Sequence, residues 1–115
     1  MNTLYLLIDE KKDFALVKIG FTSNLQMRLK SYSTANPWAT LHSVVHTKSH
    51  MKHELEKRLH NEITKKGYDF VISKNLFTKT EWFKISYDDP FYMEIMEKGF
   101  KAFKTTKNHK QYRAE

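Results

Sequence analysis

The chain has 115 residues, 40% hydrophobic and 14% aromatic, which suits one domain with a modest core and is too apolar for a disordered chain. Cysteine is absent, which excludes disulfides, thiolate metal sites and a thiol nucleophile. The formal charge is +7, from 20 Lys and Arg against 13 Asp and Glu, and a field of that sign favours polyanions, nucleic acid first and an anionic membrane surface second.

Along the chain, residues 3–8 and 14–21 are rich in aliphatic, β-branched and aromatic side chains, with a polar run at 9–13 between them. This predicts an antiparallel hairpin. Thr22, Ser23 and Asn24 each suit a helix N-cap. Leu25, Leu29 and Tyr32 then recur at helical spacing until Asn36 and Pro37 break the pattern. Residues 41–47 read as a third strand. Met51, Leu55, Leu59 and Ile63 lie four apart and predict a longer helix, starting near Ser49 and stopping at Gly67. Residues 68–77 are ambiguous, and 81–85 read as a short strand with bulky packing residues. Asp88, Asp89 and Pro90 open a last helix over 89–104, and the basic segment 105–115 is expected to fray.

The order strand–strand–helix–strand–helix–(strand)–helix predicts an α/β (α+β) fold: a small mixed or antiparallel three-stranded sheet flanked by helices. One domain is expected over 1–104, with its core at 3–85. No apolar run approaches the ~18 residues of a membrane span, and the start lacks the blocks of a secretory signal. The expectation is an intracellular, cytoplasmic protein.

Particular residues in this order resemble the GIY-YIG nuclease superfamily. The two name-giving motifs correspond to Thr3, Leu4, Tyr5 and to Lys18, Ile19, Gly20. The run from Val17 to Thr22, then Asn24, Leu25, Arg28 and Leu29, is similar to the branch common in phages and mobile elements. So are Asn36 and Pro37, the run from Glu56 to His60, and Glu81, Trp82 and Phe83. Two positions depart from the pattern: Thr3 replaces the first motif's glycine and Lys18 the second motif's tyrosine. The lysine removes a phenol that many members place beside the scissile phosphate.

The resemblance implies a metal-dependent endonuclease acting on DNA, phage-encoded, with one divalent cation (Mg²⁺ or Mn²⁺). Phosphodiester hydrolysis needs an oriented, deprotonated water, neutralised charge on phosphorus and a stabilised leaving oxygen. In this superfamily a glutamate holds the cation, an arginine faces the phosphate, and tyrosines or a histidine handle the water.

Glu56 is the candidate metal ligand, since a hard cation accepts one carboxylate plus waters. It falls roughly 80° from the centre of the helix's apolar stripe, at the edge between core and solvent, while Glu54 falls roughly 120° away on the other side. A solvated Glu56 paired with His60 one turn on is the plainer alternative. His53, Glu56 and His60 also suggest a transition-metal set, although their spacing is not that of HExxH.

Arg28 is the candidate phosphate contact, or else a surface arginine whose stem covers apolar surface. Tyr32, one turn on, is either a water-positioning group or a packed tyrosine. Tyr5 shares the catalytic assignment, with Lys18 as a cation able to lower its pKa or to bind phosphate directly. His60 orients the substrate or Glu56, or packs. Trp82 and Phe83 read as core. Lys101 and Lys104 begin a basic segment that can track a nucleic-acid backbone.

Two other readings stay open: a binding module on the same fold that holds nucleic acid or protein without cutting, and an unrelated basic protein that binds RNA through sheet aromatics.

Overall fold

The computed structural model describes residues 2–48, 51–73 and 79–114. The first hairpin forms as the alternation predicts: β1 (Asn2–Glu10) pairs antiparallel with β2 (Phe14–Thr22), Tyr5 lying opposite Gly20 and Leu7 opposite Lys18. Asn24 caps α1 (Leu25–Ala35), its side chain accepting from the Met27 amide at 3.2 Å. β3 (Thr40–Thr47) returns to pair antiparallel with β1. α2 (Lys52–Lys65) follows and ends before Gly67, whose φ of 94° is a backbone conformation glycine adopts without strain. The helix start expected near Ser49 lies outside the described residues.

The sheet is larger than the three strands expected. β4 (Phe70–Ile72) and β5 (Lys79–Ser86) extend one side, and β6 (Gln111–Arg113) closes the other. The order is β4-β5-β2-β1-β3-β6, with every neighbouring pair antiparallel. β4 and β6 are three residues each, too short to print an alternation on the sequence. The remainder of the ambiguous segment, 74–77, lies outside the described residues.

The last helix is also shorter than expected. Asp89 caps α3 (Pro90–Lys98), with Pro90 in the first turn, but the helix stops at Gly99, where φ turns to 61°. A side chain there would come within 2.7 Å of Ser43 Oγ, so the chain passes hard against β3. Tight turns over Gly99–Ala102 and Lys104–Thr106 replace the final helical turns. The segment expected to fray instead buries Thr106 and supplies β6.

Alternation along β1 divides the molecule. Leu4, Leu6 and Ile8 join one buried cluster with Leu59 and Ile63 of α2, Phe83 and Ile85 of β5, and Phe91 and Ile95 of α3. Tyr5 and Asp9 face the other way, toward α1, where they meet Tyr32 and Asn36. α1 therefore covers one face of the sheet and α2 and α3 cover the other.

Candidate active site

β1 begins, β2 ends and β5 begins at one end of the sheet. The first turn of α2 and the first turn of α1 meet there as well. Between them lies a polar cavity of about 280 Å³ lined by Asn2, Tyr5, Phe21, Thr22, Ser23, Arg28, His53, Glu56 and Glu81. Tyr5, Arg28 and Glu56, far apart in the chain, thus share one cavity.

Each arrives by a local rule. Glu56 stands at the edge of the Leu55, Leu59 and Ile63 stripe, which is buried, and its carboxylate is only half sunk. Among the described residues it has no hydrogen bond or ion pair, so the pairing with His60 does not form. Burial, followed by the Glu81 carboxylate, raises its pKa above the ordinary value, while His60, His53 and Lys18 pull it back. Glu54 lies on the exposed side, in an ion pair with Arg58 at 2.5 Å.

Arg28 is exposed on α1 and has no carboxylate partner among the described residues. Tyr5 is almost wholly buried, and its hydroxyl lies 3.3 Å from that of Tyr32. Gly20 makes this possible. A Cβ at that position would lie 2.5 Å from Tyr5 Cζ, so the ring rests on bare backbone.

Electrostatics correct one expectation. Burial, then the hydrogen bond and the charge of Tyr32, drive the Tyr5 pKa far upward; Arg28, not Lys18, is the cation that opposes this, and it is outweighed. Tyr5 is therefore a hydrogen-bonding phenol and not a base. Lys18 is instead spent elsewhere. Its ammonium lies 3.5 Å from Glu81, 4.6 Å from the centre of the Tyr32 ring and 5.8 Å from that of Trp82. It stands behind the cavity wall and holds Glu81 in place.

His60 is outside the cavity and packs on Phe70 at 4.9 Å between ring centres. Phe83 is core and Trp82 is half-buried. Lys101 and Lys104 are exposed away from the cavity, and the Lys104 and Thr105 amides donate to Glu62.

Glu81 is a cavity residue that the sequence did not single out as a site group, and His53, weighed there only as part of a transition-metal set, lines the cavity as well. Glu81 was hidden in a strand of bulky packing residues. The available signal was its spacing from Phe83: residues two apart on a strand share a face, which puts Glu81 on the side of the sheet that α2 covers, where Glu56 stands.

Among the described residues no group of three or more His, Cys, Asp or Glu could hold a metal ion, so the transition-metal set of His53, Glu56 and His60 is not assembled. The donors lining the polar cavity are His53 and two glutamates, one of the glutamates without a partner among the described residues. That set fits a hard cation that keeps most of its waters and does not fit an all-protein cage. No helix among the described residues is long and apolar enough to cross a membrane.

Comparison with known families matches the T5orf172 domain over residues 2–93. Comparison with curated proteins and with solved structures gives no match.

Proposed function

The chain belongs to the T5orf172 domain family, and from that premise we propose that it is a GIY-YIG-type endonuclease that hydrolyses DNA phosphodiester bonds with Mg²⁺ or Mn²⁺. The family is associated with phage and mobile-element proteins and with GIY-YIG-like nucleases, which supports the reading. One observation carries it: Tyr5, Arg28 and Glu56, from β1, α1 and α2, line a single cavity.

The roles follow from the chemistry of each group. Glu56 holds the cation, which, when bound, supplies positive charge against the phosphate. Arg28, unpaired and exposed, grips phosphate oxygens with a bidentate guanidinium. Tyr5, kept protonated by burial, donates a hydrogen bond and orients the water. Glu81, held by Lys18, accepts the proton that water loses as its oxygen bonds to phosphorus. The P–O bond to the leaving sugar oxygen then breaks, and that oxygen takes a proton from solvent.

The test is nicking of supercoiled plasmid with Mg²⁺, with EDTA as control. Glu56→Ala should fall to the EDTA level, and Arg28→Ala should lose about 10²–10³-fold in rate. Nicking by Glu56→Ala at the native rate would overturn the assignment. A second reading, a DNA-binding module that does not cut, draws on the Lys18–Glu81 pair, which occupies a wall carboxylate. It predicts gel shifts without metal-dependent nicking, unchanged by Glu56→Ala.

A further inference from the structure

A second cavity, of about 530 Å³, lies at the far end of β1 from the first and is lined by residues that include Ile8, Glu10, Trp38, Leu41, Met96 and Arg113. Its size is that of a small-molecule or nucleotide site. The most exposed large apolar side chain in the described chain, Trp38, stands on its rim with 76% of its surface in solvent. An exposed indole at the rim of a cavity offers a π-face on which a base can stack.

The opposite wall is built with care. The β1–β3 ladder skips His42, since Leu6 faces Ser43 while Leu7 faces Leu41. The His42 ring that results also lines the cavity, and its Nε2 lies 3.0 Å from Arg113 Nη1. Arg113 also donates to the Met96 carbonyl at 3.2 Å. The same His42 Nε2 lies 3.0 Å from the Met96 carbonyl and Nδ1 lies 3.3 Å from Ser43 Oγ, so the imidazole and the guanidinium converge on one backbone oxygen. Arg113 is thereby anchored at the rim with further N–H donors free for an anion among the described residues, and it belongs to the last strand of the sheet.

We propose that this second cavity takes one unstacked base of a single-stranded nucleic acid, the base stacking on Trp38 and its flanking phosphate meeting Arg113. The apolar floor of Ile8, Leu41 and Met96 suits a base face and would not suit a bare phosphate. Glu10 on the rim accepts from base N–H groups and repels phosphate, which places the backbone on the Arg113 side. A base paired in a duplex cannot reach such a cavity, so the site selects single strands. α1 links the two cavities: Arg28 near its start lines the first, and the chain beyond its end supplies Trp38 to the second, roughly 16 Å along the helix. A strand released by cutting at the first would find the second within reach. The proposal rests on the nucleic-acid part of the proposed function and not on cleavage.

The chain has two tryptophans, so its emission can be assigned by substitution. The 115-residue chain is titrated with a short oligothymidylate, single-stranded or annealed to its complement, and emission is followed. The single strand should quench emission to saturation, and the duplex should quench far less. Trp38→Phe should abolish most of the change. Trp38→Ala should weaken single-strand binding by about 5- to 150-fold, with plasmid nicking unchanged. Quenching that persists in Trp38→Phe, or that the duplex matches, overturns the proposal. So does native affinity in Trp38→Ala, or a native chain whose emission does not respond to the single strand. In that last case, plasmid nicking by the same preparation shows that the proposed nuclease reading survives and only the second cavity falls. A preparation that neither nicks nor binds sinks both.

Discussion

Leu6 and Tyr5 are neighbours on one strand, both almost fully buried, and they do opposite work. Leu6 looks toward α2 and α3 into a cluster that is apolar throughout apart from tyrosine hydroxyls. Tyr5 looks toward α1, where buried polar groups flank Leu7: Tyr5 meets Tyr32, and Asp9 Oδ2 meets Asn36 at 2.9 Å and Lys11 at 3.1 Å, while Asp9 Oδ1 is buried without a partner among the described residues. One face of the sheet holds the fold together, and the other arranges hydrogen-bonding groups beside a cavity. Burial on the first face is stabilising outright. On the second it mainly changes chemistry, as the upward-driven pKa of Tyr5 shows.

The contrast can be broken most forcefully at Leu6. Leu6→Ala should cost about 2–5 kcal/mol in urea unfolding, because a strand flanked on both sides by other strands cannot close over the lost volume. If the cost is under 1 kcal/mol, roughly a surface value, the core has been placed on the wrong face.

Gly20→Ala comes next, since its new methyl meets the Tyr5 ring. A loss of about 1–3 kcal/mol is expected, with nicking reduced because the phenol moves. Full stability and activity in that variant would mean that Tyr5 has room to shift without consequence.

Tyr5→Phe sharpens the comparison, since it leaves packing intact and removes one hydroxyl. Stability should fall by about 1 kcal/mol while the nicking rate drops by about 10²-fold. Equal small effects on both would reduce Tyr5 to a packing residue.

The smallest effect is a matter of sign. Burial and Glu81 raise the Glu56 pKa, so the native chain holds that proton more tightly than the unfolded chain does. Stability contributed by the protonated form is lost as pH rises from the ordinary 4.5 through the raised value, and the deficit persists at neutral pH. Glu56→Gln should therefore melt slightly above the native chain at neutral pH and lose that advantage in acid, while nicking nothing. Thermal melts over a pH series read this directly, and a variant that melts lower at neutral pH contradicts the electrostatic account of the site.

Sequence alone carried the hairpin, both capped helices and the stripe that puts Glu56 at the edge of α2, because these are printed in periods of two and 3.6 residues. It also carried the chemical types of Tyr5, Arg28 and Glu56, though not their meeting. Tertiary structure decided that Lys18 serves Glu81 and not Tyr5, that Glu81 belongs to the cavity, and that the basic end of the chain becomes β6 beside β3. The physical reason is range. A local pattern states which way a side chain points from its own backbone, whereas a partner across a sheet is chosen by strand order and register. Those are set by contacts between residues tens of positions apart.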